Sequence, residues 1–240
     1  QHFSCPDLRP IVPYAMRIAL SFLIILTSAL STRADDSSLM EQLRGKIKTR
    51  SYHWDLSLFH DRDWKSMGKS VNGLPLIYWS CGDEKSGNRS LILSAVHGDE
   101  VTPVFFGVRL VEWLKANPQV CKDNFIVVAP IVNPDGFLRY TAGTRTNYNK
   151  VDLNRNFPTP DWDKDAMTRW KQTAIKGQPQ RRYFPGEKSG SEPEIHFQLK
   201  LIDEFRPTKI MSVHAPLHFF DLDGPDVDQV KVFAKNYVQA

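Results

Sequence analysis

Two histidines and a glutamate in this chain have the residue types and spacing of a metal site. His97 and Glu100 stand three positions apart, so both side chains could reach one small cation. His214 ends a later apolar run and could supply a third ligand. Three protein ligands, with a fourth position left for water, are typical of catalytic zinc, whereas structural zinc has four protein ligands. The pattern therefore predicts a zinc hydrolase.

The segments around these residues predict where the ligands meet. An apolar strand, 91–96, runs directly into His97, and a helix over 101–117 follows it. His214 closes a second apolar strand, 209–214. Open α/β sheets bind their ligands at the carboxyl ends of the strands, so parallel strands would bring the three ligands to one edge. The alternative is that His97 and Glu100 only cap the helix and bind no metal, since a carboxylate is favoured at a helix N-terminus.

Apolar strands alternate with amphipathic helices along the chain, which predicts the fold class. Near-continuous apolar runs suit strands that are covered on both faces. We expect one α/β domain with a mixed, mostly parallel sheet sandwiched between helices. The predicted strands are 74–79, 91–96, 125–132 and 209–214, and the predicted helices are 37–50, 101–117 and 191–205. Ser191 and Glu194 have the spacing of a capping box at the start of the last helix.

Residues 134–190 differ from the rest of the chain. They are rich in Asn, Gly, Pro, Thr and aromatic side chains and have no long periodic run. A stretch of this length without regular structure in a compact domain usually carries function.

The overall composition is that of an ordinary globular protein. Of the 240 residues, 41% are hydrophobic and 24% are charged, which is enough for one domain with a real core. The formal net charge is +4. No basic stripe is present, so nucleic acid is not an expected partner.

The N-terminal sequence predicts export. A short positive region begins at Met16 and is followed by the apolar run 18–26 and then by small residues. This is the layout of a secretory signal peptide over residues 16–34. We interpret 1–15 as upstream sequence that is not native and 35–240 as the catalytic domain. The apolar run is shorter than the roughly 20 residues that span a bilayer, so we expect a periplasmic protein, or alternatively a secreted one, without a stable membrane span.

The cysteines leave two possibilities open. Cys5 precedes the predicted signal peptide, and Cys81 and Cys121 remain in the domain. In an oxidising compartment these two could form a disulfide. Two cysteines in one domain can equally be unpaired core residues.

The sequence resembles the zinc carboxypeptidase family over roughly residues 70–225. The segment from His97 to Glu100 resembles the family's first two zinc ligands, and the Ser-Val-His that ends at His214 resembles the third. Two further motifs stand in the family's order: Asn-Pro-Asp-Gly at 133–136 and Asp-Leu-Asn-Arg-Asn at 152–156. The resemblance implies one Zn²⁺ per chain, held by these three ligands.

The resemblance also implies roles for four other residues. Asp152 would accept a hydrogen bond from His97 and fix its tautomer. Asn154 and Arg155 would hold a substrate carboxylate, for which a guanidinium fork is well suited. Arg145 matches the arginine that polarises the scissile carbonyl and stabilises its oxyanion. Without the motif order, each arginine could equally be a solvated surface residue.

Two catalytic residues of the family have no match in this chain. The family's general base is a glutamate on a strand well after the third zinc ligand, and no glutamate follows Glu204 here. The tyrosine that caps the substrate also lies late in the fold, and Tyr237 is too early to match it. We therefore expect a chain that is truncated at its C-terminus and that binds zinc but is catalytically impaired.

Within the family, the sequence is similar to bacterial peptidoglycan-peptide enzymes, the murein peptide amidases and the DL-carboxypeptidases. The segments that carry this similarity are 145–159, 183–186, 191–194 and 214–217. It implies a peptidoglycan stem peptide as substrate, cleaved at the γ-D-glutamyl–meso-diaminopimelate bond. Two alternatives stay open: a general metallocarboxypeptidase on ordinary peptides, and a non-catalytic peptidoglycan-binding protein that retains the fold.

One other histidine competes for the third ligand position. His218 lies four positions past His214, and residues four apart in a strand face the same side. His214 is preferred because it ends the strand and because it matches the family. The residues that are not expected to bind metal are His53, His60, His196 and Asp99.

Overall fold

The computed structural model describes residues 38–50, 52–61 and 63–216. Three predicted features lie outside the described residues: the upstream segment 1–15, the signal peptide 16–34 and His218. From Leu39 onward, the described residues belong to one compact unit. Within the described ranges, no helix combines the length and the apolar character needed to cross a membrane.

The described residues form one mixed sheet of five strands. The strands are β1 Lys65–Lys69, β2 Pro75–Gly82, β3 Arg89–Ser94, β4 Phe125–Ala129 and β5 Lys209–Val213. They lie in the order β1-β2-β4-β3-β5. β3 pairs in parallel with β4 and with β5, whereas β2 pairs antiparallel with β1 and with β4. The predicted mixed α/β class is confirmed, and parallel and antiparallel pairings are equally frequent in the described sheet.

The four predicted strands are all present, with ends that differ from the prediction by a few residues. β1 is the strand that the sequence does not predict. Its side chains are mostly exposed, and it contains two lysines and a glycine among five residues. Such a segment has no apolar alternation to indicate a strand. It joins the sheet through its antiparallel pairing with β2.

Helices cover both faces of the sheet. They are α1 Leu39–Lys48, α2 Val101–Ala116, α3 Gln119–Lys122, α4 Pro134–Leu138, α5 Trp162–Gln172 and α6 Pro193–Phe205. Successive strand residues face opposite sides of a sheet. Leu91 and Leu93 of β3 belong to the same buried cluster as Leu201 of α6. Ile92, between them, belongs to a second cluster with Val111 of α2.

Two local predictions differ from the structure. The irregular region 134–190 contains α4 and α5, and α5 has no clear apolar periodicity because Trp162 is its one buried residue. The capping box at α6 is wrong. Glu192 is the residue before the helix, and the side chain of Glu194 accepts a hydrogen bond from the backbone N–H of Val71, 3.2 Å away, instead of capping.

Cys81 of β2 and Cys121 of α3 form a disulfide, with their Cα atoms 5.6 Å apart. The bridge joins residues 40 positions apart in sequence and ties α3 to the sheet. Of the two possibilities that the sequence leaves open for these cysteines, the structure contains the paired one.

Candidate metal centre

His97 and His214 lie at the carboxyl ends of neighbouring parallel strands. The pairing of β3 with β5 extends to Ser94 and Val213. His214 follows β5 directly, and His97 follows β3 after a two-residue step. The first residue of that step, Ala95, has a φ of 52°, a left-handed conformation that is costly for a residue with a Cβ. The two imidazole rings meet at one sheet edge, with their centroids 4.8 Å apart.

Glu100 immediately precedes α2 but does not cap it. Its side chain makes no capping hydrogen bond to the helix. Instead, its Oε1 lies 2.8 Å from Nδ1 of His97, and its Oε2 lies 3.1 Å from Nδ1 of His214. The backbone N–H of Ala215 also donates to Oε2, at 3.2 Å. The alternative that this carboxylate serves only as a helix cap therefore does not hold.

The three predicted ligands come close enough to share one ion. One donor atom from each lies within 4.8 Å of the other two, and no other group in the described part of the chain offers three such ligands. Ligands around a tetrahedral zinc with bonds of about 2.0–2.1 Å lie roughly 3.3 Å apart. The two contacts of Glu100, at 2.8 and 3.1 Å, are close to that value. Two imidazoles and a carboxylate therefore fit Zn²⁺ in both type and spacing.

For both Glu100 and His97, burial and hydrogen bonding shift the pKa in opposite directions. Burial would raise the pKa of Glu100, but hydrogen bonds from His214 and His97, together with their charges, lower this pKa to about 2. Burial would lower the pKa of His97, but its hydrogen bonds to Asp152 and Glu100 outweigh burial and raise this pKa. The Glu100 carboxylate is therefore ionised at neutral pH, as a metal ligand must be.

The backbone on either side of His97 is held by close packing. A Cβ on Gly98 would lie 2.1 Å from the carbonyl carbon of Gly136, so only glycine fits there. The side chain of Asn133 accepts a hydrogen bond from the N–H of Gly136, at 2.8 Å, and donates one to the carbonyl of Val96, at 3.2 Å. The Asn-Pro-Asp-Gly motif thus positions the loop that carries the first ligand, a role that the sequence alone did not assign.

Asp152, to which the family resemblance gives the role of orienting His97, lies next to Nε2 of that residue. Its side chain is fully buried. Asp152 is the N-cap of the short 3-10 turn Leu153–Arg155, and its Oδ1 accepts a hydrogen bond from the N–H of Asn154. The same oxygen lies 3.2 Å from Nε2 of His97. Its other oxygen, Oδ2, accepts a hydrogen bond from Nε of Arg145, at 2.9 Å.

Arg145 lies directly beside the ligands. Its Nη1 is 3.3 Å from Nδ1 of His97, and its guanidinium lies 5.3 Å from the ring centroid of Tyr183. The side chain is 16% exposed, so part of the group faces solvent at the site. A fixed cation in this position can stabilise negative charge that develops on a nearby oxygen.

Asn154 and Arg155 occupy different surroundings. Nδ2 of Asn154 lies 3.3 Å from Nε2 of His214, so the structure brings this residue to the metal centre. Arg155 is exposed, and its Nη1 donates to the backbone carbonyl of Asn154. Both residues line an adjoining cavity of about 350 Å³, together with Trp162 and Tyr183. We call it the clamp cavity.

Two residues that contact the site were given no role from the sequence. Oγ of Ser212 lies 3.1 Å from Nε2 of His214, and Tyr183 provides the ring against Arg145. Ser212 could have been found from strand periodicity, because residues two apart on a strand face the same side. No sequence pattern indicates the contact of Tyr183 with Arg145, because the two are brought together by irregular backbone.

The residues that are not expected to bind metal do not join the centre. Asp99 lies between two ligands in sequence, but its carboxylate pairs with Arg182 at 3.7 Å. The three other described histidines are exposed or half-buried elsewhere: His53, His60 and His196.

Comparison with known proteins identifies relatives. The family described as zinc carboxypeptidase matches residues 62–220. The chain is 36% identical over 174 residues to murein peptide amidase A of Vibrio campbellii, a match that covers 72% of this chain and 65% of the relative. It is also 36% identical over 151 residues to murein peptide amidase A of Escherichia coli K12, covering 62% of this chain and 58% of the relative. This chain therefore matches less than two thirds of the length of either relative.

A solved structure shows the same fold. The carboxypeptidase A of Helicoverpa armigera superposes with a TM-score of 0.59 at 18% sequence identity. The match covers 94% of this chain and 60% of that one. At this identity the likeness concerns the fold alone.

Proposed function

Because this chain belongs to the zinc carboxypeptidase family, as its motifs predict, we propose that it is a zinc-dependent peptidase of peptidoglycan stem peptides. The bond that we propose it cleaves joins γ-D-glutamate to meso-diaminopimelate. The observation that carries the proposal is the convergence of His97, Glu100 and His214 at one sheet edge, with the Arg145 guanidinium beside them.

A zinc ion bound at this site would supply its central chemistry. Zinc held by three protein ligands lowers the pKa of a bound water to about 7 and polarises a carbonyl oxygen. His97, Glu100 and His214 would hold the ion. Asp152 orients His97 through its contact with Nε2, which leaves Nδ1 for the metal.

The remaining residues act on the substrate. Arg145 is held by Asp152 and offers its other N–H groups to the carbonyl oxygen as charge develops on it. Arg155 lines the clamp cavity and provides a planar fork for a carboxylate. The amide of Asn154 lies between the metal centre and that cavity, and so it can contact the same carboxylate.

The choice of stem peptides is supported by the relatives. Two of them, at 36% identity, are named murein peptide amidase A. A stem peptide that ends in diaminopimelate carries free carboxylates on the leaving-group side of the proposed bond. These are the groups that Arg155 in the clamp cavity would bind.

The substrate proposal is tested by incubating the zinc-loaded protein, expressed from the full gene, with the stem tripeptide L-Ala-γ-D-Glu-meso-diaminopimelate. We expect release of free diaminopimelate, detected by chromatography and mass spectrometry. The matched control is Glu100→Gln, which should release none. An ordinary peptide with a free C-terminus is assayed in parallel.

The outcomes separate the three readings of the site. Faster release from the ordinary peptide would favour a general carboxypeptidase. Release from neither peptide, with zinc bound, would eliminate the peptidase proposal and leave a non-catalytic binding protein.

We further propose that the protein is exported to the periplasm. The sequence layout of residues 16–34 supports this, and so does the disulfide between Cys81 and Cys121, because such bonds persist mainly in oxidising compartments. Fractionation of cells that express the full gene, followed by immunoblotting, tests the location. Recovery in the cytosolic fraction with both thiols free would contradict it.

A further inference from the structure

A second groove beside the metal centre is lined by basic side chains. Its volume is about 250 Å³, and it is lined by Tyr140, by two threonines and by five cationic residues: Arg139, Arg145, Lys150, Arg181 and Arg182. Among the described residues, no carboxylate lines it. We call it the cationic groove.

Aromatic rings hold the guanidinium groups of this groove. Arg181 lies 3.8 Å from the ring centroid of Phe184. Arg139 lies 5.2 Å from the centroids of both Tyr140 and Tyr148. A ring face attracts a cation through its quadrupole and leaves the charge in place. The arginines are therefore oriented without being neutralised.

Carboxylates pair with two of the five cations of the groove. Asp152 pairs with Arg145 at 2.9 Å, and Asp99 pairs with Arg182 at 3.7 Å. Within the described ranges, the other three cations form no ion pair: Arg139, Lys150 and Arg181. Bringing like charges together costs free energy, so the groove is complementary to an anion.

Arg145 connects the cationic groove to the metal centre. It lines the groove, and its Nη1 lies 3.3 Å from Nδ1 of His97. Arg155 lines the clamp cavity instead. A substrate with its leaving-group carboxylate at Arg155 and its scissile carbonyl at Arg145 extends its acyl portion toward the cationic groove.

We propose that the cationic groove binds a free carboxylate on the acyl side of the scissile bond. This inference rests on the proposed function. In a γ-D-glutamyl peptide the glutamate is linked through its side chain, so its α-carboxylate stays free a few bonds from the scissile carbonyl. In an ordinary peptide the α-carboxyl group is itself part of the scissile bond. The groove therefore selects γ-linked glutamyl substrates.

The test uses two dipeptides that the enzyme cannot cleave at the proposed bond. L-Ala-D-Glu keeps the α-carboxylate, and L-Ala-D-isoglutamine carries an amide in its place. We measure their affinities for the zinc-loaded protein by calorimetry. We expect the acid to bind at least about tenfold more tightly than the amide, as a charge-assisted hydrogen bond provides.

Variants test whether the cationic groove causes the tighter binding of the acid. In the double variant Lys150→Gln/Arg181→Gln, the ratio of the two affinities should fall below about threefold, because two of the cations that lack an ion pair are removed. Arg44→Gln removes an arginine of α1 whose side chain is 48% exposed, and it should keep the wild-type ratio. Thermal unfolding of each variant verifies that it is folded.

Two results would overturn the inference. One is equal affinity of the wild type for the two dipeptides, which needs no variant to interpret. The other is an unchanged ratio in a folded double variant. The proposed function fails by a different result, the absence of diaminopimelate release from the tripeptide. Tighter binding of the acid than of the amide, without release of diaminopimelate, refutes the proposed function alone. Release of diaminopimelate with equal binding of the two dipeptides refutes the proposed role of the cationic groove alone.

Discussion

The carboxylate of Asp152 lies 3.2 Å from Nε2 of His97, the ring nitrogen on the side opposite to the contact with Glu100. Burial would raise the pKa of Asp152, but the hydrogen bond from His97 and the charge of Arg145 lower it. The carboxylate therefore stays ionised and can accept a hydrogen bond from the N–H at Nε2. With zinc bound, this contact would leave the lone pair of His97 on Nδ1, the nitrogen that faces the other ligands.

Asp152→Asn should weaken zinc binding by about 10- to 100-fold, the usual cost of losing the group that orients a metal-binding histidine. An asparagine can present its NH₂ group to Nε2 and favour the wrong tautomer. The dissociation constant is measured by competition with a chromophoric chelator. Asp161→Asn, which changes an exposed carboxylate, is the matched control. An unchanged dissociation constant in Asp152→Asn would show that the contact does not set the tautomer.

Glu100→Gln should abolish zinc retention, because an amide supplies a neutral and much weaker ligand than a carboxylate. The neighbouring Asp99→Asn removes the same charge one position away and should retain one zinc per chain, since Asp99 pairs with Arg182. Zinc content is measured by mass spectrometry of the dialysed proteins. Wild-type zinc in Glu100→Gln would mean that the ligand assignment is wrong.

Arg155→Gln should raise the KM for the stem tripeptide by about 10- to 100-fold, because a charge-assisted hydrogen bond contributes roughly 1.5–3 kcal/mol. Its zinc content should stay at the wild-type level, since the exposed side chain lies in the clamp cavity. Steady-state kinetics and metal analysis on the same preparation check both statements. Arg169→Gln, which changes another arginine that lines the clamp cavity, is the comparison, and an equal rise in KM there would argue against a specific clamp.

The sequence predicted the metal centre because its geometry follows from strand direction. Once 91–96 and 209–214 are recognised as apolar strands of one sheet, parallel pairing brings His97 and His214 to the same edge. The structure has this pairing, with Ser94 opposite Val213. The apolar run of β3 fits a strand that is covered on both faces, whereas the side chains of β5 are mostly exposed.

Contacts made by irregular segments could not be predicted in the same way. Glu194 has the spacing of a capping residue, yet tertiary contacts place its side chain beside Asn147 and Val71. The contact of Tyr183 with Arg145 likewise joins two loops. No periodic sequence pattern indicates either contact, because each depends on how segments distant in sequence pack together.

Glu194 is a buried carboxyl group whose ionisation should make stability depend on pH. Its Oε2 accepts a hydrogen bond from Nδ2 of Asn147, at 3.0 Å, and its Oε1 accepts one from the N–H of Val71, at 3.2 Å. Burial, assisted by the charge of Asp135, outweighs these hydrogen bonds and raises the pKa of Glu194 to about 7. Glu192 lies close by, since its carboxylate accepts from the same Asn147 nitrogen.

The sign of the effect follows from proton binding. Between the ordinary pKa of 4.5 and about 7, the folded protein keeps the Glu194 proton and the unfolded chain releases it. The free energy of unfolding therefore falls as the pH rises through this window, by an amount of order 3 kcal/mol at most. The loss is complete about one pH unit above the raised pKa of about 7.

The prediction is tested by urea unfolding of the metal-free protein at pH 5, 6, 7 and 8, for the wild type and for Glu194→Gln. Chelation removes the pH dependence of zinc binding, and the difference between the two proteins cancels all other titrating groups. The readout is the slope of the free energy of unfolding against pH and not its absolute value. The substitution itself changes the absolute value, because an amide offers one acceptor oxygen where the carboxylate offers two. The stability of the wild type should fall relative to that of Glu194→Gln as the pH rises from 5 to 8. Glu204→Gln, at an exposed position of the same helix, should follow the wild type, and parallel curves for the wild type and Glu194→Gln would refute the raised pKa.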